Sequence, residues 1–285
     1  MSRPSGIERA AEAFTAPNGI ERIAEAFAGA RANGRRAALM PYLMGSYPDS
    51  DTSRAIGLAY ADAGADLVEL GVPFSDPLAD GPVIHAAATA ALAAGATLPA
   101  VLEVGQAIAQ RVPVILMCYA NPIFARGLER FTDLLAAASI SGLIVPDLPL
   151  EEAPDALAAC DERGLALVPL AAPTTPVQRL ARIGASARGF LYTVSLTGTT
   201  GERTAGAGGY GELVARAAAH TDVPVAVGFG IATPEQAAQA AASGADGVIV
   251  GSRLVRAAGE PGDPVAAVAD LVRGFSSALS GEPLS

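Results

Sequence analysis

A closed (β/α)8 TIM barrel is the fold this sequence predicts, on three observations. The 285 residues suit one large domain, and such a barrel takes roughly 250 residues. Short apolar runs alternate with longer Ala-rich stretches from residue 38 to near the C-terminus. Each run is almost continuously hydrophobic and bounded by Gly, Pro or Asp, the pattern of parallel strands buried on both faces. Eight repeats of strand then helix close into a barrel. A doubly wound open sheet is the alternative, but it would place a Gly-rich dinucleotide turn after the first strand, and none stands there.

Taken in order, the strands are predicted at residues 38–44, 66–70, 113–119, 142–147, 166–170, 189–194, 224–228 and 247–250. The helices between and after them are predicted at 52–63, 98–110, 127–138, 151–163, 176–183, 209–219, 234–243 and 264–279. Three more helices fall outside the eightfold count. One is an extra N-terminal helix, where GIERIAEAF (19–27) runs on toward residue 33 and is expected to cross the bottom of the barrel. Another is HAAATAALAAG (85–95), in the loop after strand 2. The last is a short helix opened by Gly251-Ser252, after strand 8. GIERAAEAF (6–14) duplicates the N-terminal helix at an offset of thirteen residues, too short for a stacking repeat. Pro17-Asn18-Gly19 separates the copies. Residues 1–18 are therefore read as an N-terminal extension without assigned function, and residues 19–285 as a single barrel domain.

Composition removes several classes of function. The net charge is −10 and the 19 basic residues are all Arg. A chain without lysine lacks the amine for a Schiff-base aldolase, a Walker phosphate site or covalently held pyridoxal phosphate. An acidic chain disfavours nucleic acid. Two histidines, His85 and His220, make a His-rich metal centre improbable, and no metal is expected; His220 reads as a solvent-facing helix residue. Cys118 and Cys160 read as core residues of a reduced protein. With no apolar run of membrane-spanning length and no basic-then-apolar leader, a cytoplasmic location is expected.

Chemistry is expected at the C-terminal strand ends. In LVELGVPFSDPLADG (67–81), Glu69 interrupts an apolar strand and Asp80 follows eleven residues later in a Pro/Gly-rich loop. Period-two alternation puts Leu67, Glu69 and Gly71 on one face, so Glu69 points into the barrel mouth. A buried carboxylate has to be paired, neutralised or used. Taken alone, Glu69 also fits an ion pair with an Arg, and Asp80, like Asp76, fits a turn or helix cap. Tyr42, Tyr119 and Tyr192 stand at strand ends, where a ring can flank a planar substrate, although each alone fits the core. Gly-rich turns follow strands six, seven and eight: SLTGTTG (195–201), GFGI (228–231) and Gly251-Ser252. Together they fit phosphate held by backbone N–H groups, which needs no cationic side chain.

The run VELGVPFSDPLADGP resembles the signature of the tryptophan synthase α subunit family. The similarity continues through Met40-Pro41-Tyr42, MCYAN (117–121), VPDLPLEE (145–152), the Thr-Gly loop at 197–201, GFGI and Val250-Gly251-Ser252. The resemblance implies a barrel lyase cleaving indole-3-glycerol phosphate to indole and glyceraldehyde 3-phosphate, with a β-subunit partner in an α2β2 tetramer. Pyridoxal phosphate is then expected on the β subunit, with no cofactor on this chain. It also implies Glu69 and Asp80 as the catalytic pair. Tyr42, Tyr119 and Tyr192 would lie near substrate, with Gly201, Gly230, Gly251 and Ser252 at the phosphate. In that chemistry Glu69 must gain and lose a proton while Asp80 stays ionised, so opposite tuning of the two is expected. The chain departs from the family after the first strand, where Met44-Gly45-Ser46 stands in place of the usual Thr-Ala-Gly. A loop at 196–207 that could close over substrate looks intact. Alternatives are a free-standing lyase that releases indole, a phosphate-barrel isomerase, and a non-catalytic barrel that activates a partner.

Overall fold

Apolar runs this continuous pair edge to edge as a parallel sheet, because helices cover one face and the remaining side chains fill the interior. The computed structural model describes residues 18–194, 209–228 and 230–280. Among them the chain forms α1 (Gly19–Ala32), β1 (Ala38–Met44), α2 (Ser50–Asp62), β2 (Val68–Gly71), α3 (Pro82–Ala93), α4 (Leu98–Ala109) and β3 (Val114–Met117). It continues through α5 (Ala120–Phe124), α6 (Leu128–Ala137), β4 (Gly142–Ile144), α7 (Pro154–Asp161), β5 (Ala166–Leu167), β6 (Leu170–Ala171) and α8 (Val177–Ser186). The last third holds β7 (Leu191–Thr193), α9 (Gly209–Ala218), β8 (Val225–Val227), α10 (Pro234–Ala242), β9 (Gly247–Val250), α11 (Ser252–Ala258) and α12 (Pro264–Leu279).

The strand order is β5-β4-β3-β2-β1-β9-β8-β7-β6, and the strands pair in parallel. Its two ends are halves of one predicted strand, divided at Val168-Pro169. Proline carries no N–H and cannot donate to the ladder. Even so, the Val168 N–H donates to the Leu143 carbonyl at 2.9 Å, and the Pro169 carbonyl accepts from the Tyr192 N–H at 3.1 Å. The chain itself therefore bridges the two edges, and the sheet is curled in a TIM-barrel-like α/β fold rather than left open. Two further differences from the sequence reading are local. The helix predicted from residue 151 begins as a 3-10 turn at Leu150–Glu152, and Pro154 then starts α7 at the position where its missing N–H costs nothing. The five-residue α5, ANPIF, has too few residues for a periodic signal and was not predicted.

Alternation along the strands sorts the core into two layers. Met40, Leu67, Ile115, Ile144, Val168 and Ile249 fill the interior, together with Ile23 and Phe27 of α1. Val68 and Leu70 face outward onto Ile56, Tyr60, Leu102 and Ile108 of α2 and α4. The α1 helix is started by a capping box between Asn18 and Glu21. It crosses close to the wall: a Cβ on Gly19 would lie 2.3 Å from the Ser141 carbonyl oxygen. Its Arg22 donates to the Ser139 and Ala109 carbonyls. At this same end Asp66 pairs with Arg35 at 2.6 Å and accepts from the Leu39 N–H at 2.8 Å. Asp246 likewise pairs with Arg31 and accepts from the Val225 N–H. With the N-terminal end filled, the C-terminal strand ends are where a site can form.

Cys118 and Cys160 are both buried and free, whereas His220 is half-buried rather than fully solvent-facing. No single helix among the described residues is long and apolar enough to cross a membrane, and α3 with α4 reaches that length only across a 114° bend. The duplicate at 6–14 lies outside the described residues.

Candidate active site

Glu69 sits in the middle of β2, level with Tyr42 of β1 on one side and Ile115 of β3 on the other. It is 3% exposed. Among the described residues neither carboxyl oxygen has a hydrogen-bond partner, and none of the described arginines forms the ion pair considered from sequence. Native structures leave few buried polar atoms unsatisfied, because an ionised group without water or partner costs several kcal/mol, on the order given by transfer energies. Burial, and after it the nearby charge of Asp80, push the Glu69 carboxyl up to about 8. At neutral pH the group is predominantly protonated and within easy reach of ionisation, the property a proton-transfer residue needs.

Asp80 is half-buried on the loop that leads into α3. It is not the cap of that helix: Gly81 is, without any side-chain hydrogen bond. The Tyr119 hydroxyl instead donates to Asp80 Oδ1 at 2.9 Å and accepts from the Ala79 N–H at 3.0 Å. Burial raises the Asp80 carboxyl, while the Tyr119 hydrogen bond and the His85 charge oppose that rise. The tuning of the two carboxyls is thus not opposite in sign. Both move upward, and Asp80 alone has a hydrogen-bond donor, Tyr119, and the charge of His85 holding it back. Asp76 keeps its turn role, exposed and bonded to the Ser75 hydroxyl.

The tyrosines converge on the same place. Burial raises Tyr42 well above its ordinary range, followed by the charges of Asp80 and Glu69 and the coupling to Tyr119 and Tyr192. Tyr192 is raised by burial and then by Glu69, and its hydroxyl donates to the Gly228 carbonyl at 3.3 Å. The strand-end glycines make room for these rings. A Cβ on Gly71 would stand 1.9 Å from the Tyr42 hydroxyl oxygen, and one on Gly228 would stand 2.4 Å from that of Tyr192. Met44 is buried against Tyr42, Ala87, Ala88 and Val255. Its sulfur lies 3.9 Å from the Tyr42 hydroxyl and is a weak acceptor for it.

Of the predicted phosphate turns, Gly251-Ser252 falls within the described residues, and so does GFGI apart from Phe229. Because β8 and β9 are neighbours, the turns after them lie side by side. Gly230 takes φ +72°, which favours glycine. Gly251 caps α11 with no side-chain hydrogen bond, and Ser252 is its first residue. Gly201 and the loop at 196–207 lie outside the described residues. Among those described, no three His, Cys, Asp or Glu side chains converge as a metal site requires.

Sequence reasoning passed over Phe74, which stacks on Tyr119 with ring centroids 5.2 Å apart and planes at 25°. It also passed over Ala79 and His85, whose relation to Asp80 depends on how the loop folds back. The one available signal was that Phe74 and Ala79 both lie inside the motif that carries Asp80.

A family model described as tryptophan synthase alpha chain matches residues 27–276. The tryptophan synthase alpha chain of Prochlorococcus marinus (strain MIT 9313) is 52% identical over 231 residues, 80% of this chain and 84% of that protein. That of Picosynechococcus sp. is 46% identical over 249 residues, covering 86% and 94%. Among solved structures, a Mycobacterium tuberculosis tryptophan synthase chain superposes with a TM-score of 0.85 at 39% identity, covering 93% of this chain and 99% of its own. A chain from the tryptophan synthase a2b2 complex of Pyrococcus furiosus, described in terms of mutual activation, gives 0.79 at 36%, covering 84% and 97%.

Proposed function

The chain belongs to the tryptophan synthase alpha chain family, and from that premise we propose that its barrel cleaves indole-3-glycerol phosphate to indole and D-glyceraldehyde 3-phosphate. It is a carbon–carbon lyase of tryptophan biosynthesis. The observation that carries the reading is Glu69, a buried carboxyl with no partner among the described residues, raised to about 8 and coupled to a second carboxyl at the barrel mouth.

The retro-aldol step needs no lysine imine, and the sequence offers no lysine to form one. The indole ring is the electron sink. Glu69, protonated, delivers its proton to ring C3 and leaves a cation delocalised onto the ring nitrogen. The resulting carboxylate takes the proton of the adjacent side-chain hydroxyl. The C–C bond then breaks, its electron pair restores the ring, and the side chain leaves as an aldehyde. Asp80, ionised, accepts the ring N–H and stabilises the positive charge that develops there. Tyr42 and Tyr192 flank the ring. Backbone N–H groups at Gly201, Gly230 and Gly251, with Ser252, hold the phosphate without a cation or metal.

Indole passes to a β subunit in an α2β2 assembly, and the pyridoxal phosphate of the second half-reaction belongs to that subunit; this chain carries no cofactor in the reading. The complex is assigned to the cytoplasm. Support for the partner comes from the solved relatives, which are tryptophan synthase complexes. Glu69→Gln tests the assignment. Cleavage of indole-3-glycerol phosphate is expected to fall below about one per cent, consistent with loss of an essential proton-transfer group, with the circular dichroism spectrum unchanged. Turnover above a few per cent in that folded variant rejects it.

A further inference from the structure

We infer that Tyr119 is a positioning residue, one that acts through Asp80 by committing its only hydroxyl proton to that carboxylate rather than by touching the substrate. A phenol has one proton to donate. The lone pair facing the loop is occupied by the Ala79 N–H at 3.0 Å, and the proton is directed to Asp80 Oδ1 at 2.9 Å. Phe74, stacked on the ring, restrains the direction in which the hydroxyl points. Three residues of the β2–α3 loop, Phe74, Ala79 and Asp80, thus close on one side chain that follows β3. Asp80 needs such an anchor. Its loop is partly exposed, and among the described residues it receives no second hydrogen bond. With Oδ1 held by Tyr119, Oδ2 is the oxygen left for the ring N–H.

The groups around this carboxylate come from several elements. Glu69 of β2, Tyr42 of β1, Tyr119 after β3 and His85 of α3 are coupled to it, and Asp147, which accepts from the Ala120 N–H at 2.8 Å, acts on Tyr119. Among them Tyr119 is the one that donates a hydrogen bond to it. A hydrogen bond to the ionised form favours ionisation, so deleting it raises the pH needed to ionise Asp80.

The inference rests on the lyase reading, and its test separates the two. In the complex with the β subunit, Tyr119→Phe is expected to lower kcat about tenfold with KM within about twofold, the signature of lost transition-state stabilisation. The acid limb of the kcat–pH profile should move upward. In an Asp80→Asn background the same change should cost nothing further, since the partner is already gone. Incorporating 3-fluorotyrosine at position 119 makes the hydroxyl a stronger donor and should move the acid limb downward, which keeps the test alive if Tyr119→Phe does not fold. The carbon-13 titration of the Asp80 carboxyl, recorded without substrate, should shift in the same directions. An unmoved titration, or an equal kcat loss with and without Asp80, overturns the inference. If the wild-type complex does not cleave indole-3-glycerol phosphate, the lyase reading fails, and the carboxyl titration alone decides the role of Tyr119.

Discussion

Glu69 binds its proton more tightly in the folded chain than in the unfolded one, and this links function to stability. Its folded value of about 8 lies above the ordinary carboxyl value of 4.5. Between those values the folded state holds more protons than the unfolded state, so stability falls as pH rises through that window. Glu69→Gln removes the ionisation while keeping the shape. The variant is therefore expected to melt at nearly the wild-type temperature at pH 4, and several degrees above it at pH 9, where the linkage amounts to a few kcal/mol on the order of one per pH unit. Thermal melts across that range check it. A temperature difference that does not grow with pH shows that Glu69 is not held neutral by burial. The same substitution that removes cleavage should thus strengthen the fold, as expected where a site stores an unfavourable burial for use in chemistry.

At the scale of elements, β2 and α1 divide the work of building a one-ended cavity. On β2, alternation puts Glu69 inward, and the glycine two residues on leaves the space that Tyr42 occupies. Gly71→Ala would drive a methyl into a rigid ring with little free rotation. It is expected to displace Tyr42 and reduce kcat/KM at least tenfold, at a stability cost of roughly 1–3 kcal/mol for overpacking. Steady-state kinetics beside urea melts separate the two effects, and unchanged kinetics would remove Tyr42 from the site. On α1, Ile23 is fully buried and Phe27 packs on Phe190 with centroids 5.9 Å apart. Ile23→Ala is expected to cost about 2–5 kcal/mol by opening a cavity at the bottom of the barrel. It should leave kcat nearly unchanged, because the chemistry is at the other end. Both elements were legible from sequence, since period-two and period-3.6 patterns are local. The break at Pro169 was not, since a proline inside an apolar run does not reveal that its neighbours keep their pairing on both sides.

For the whole molecule, the prediction concerns the partner. The isolated chain is expected to cleave slowly and to accelerate at least about tenfold when the β subunit is added, by ordering the site for the transition state. Stopped assays of indole release with and without the β chain decide this. Equal rates would favour a free-standing lyase, and activity only in the β subunit would favour a barrel that merely activates its partner. The sequence by itself determined the parallel strand–helix alternation, the inward face of Glu69 and the absence of any lysine chemistry, because each is a property of neighbouring residues or of composition. Only the tertiary structure decided that Asp80 is bound by Tyr119, 39 residues away, and that Glu69 has no hydrogen-bond partner among the described residues. Those outcomes depend on which loops meet once the sheet curls on itself, and separation along the chain carries no information about that distance.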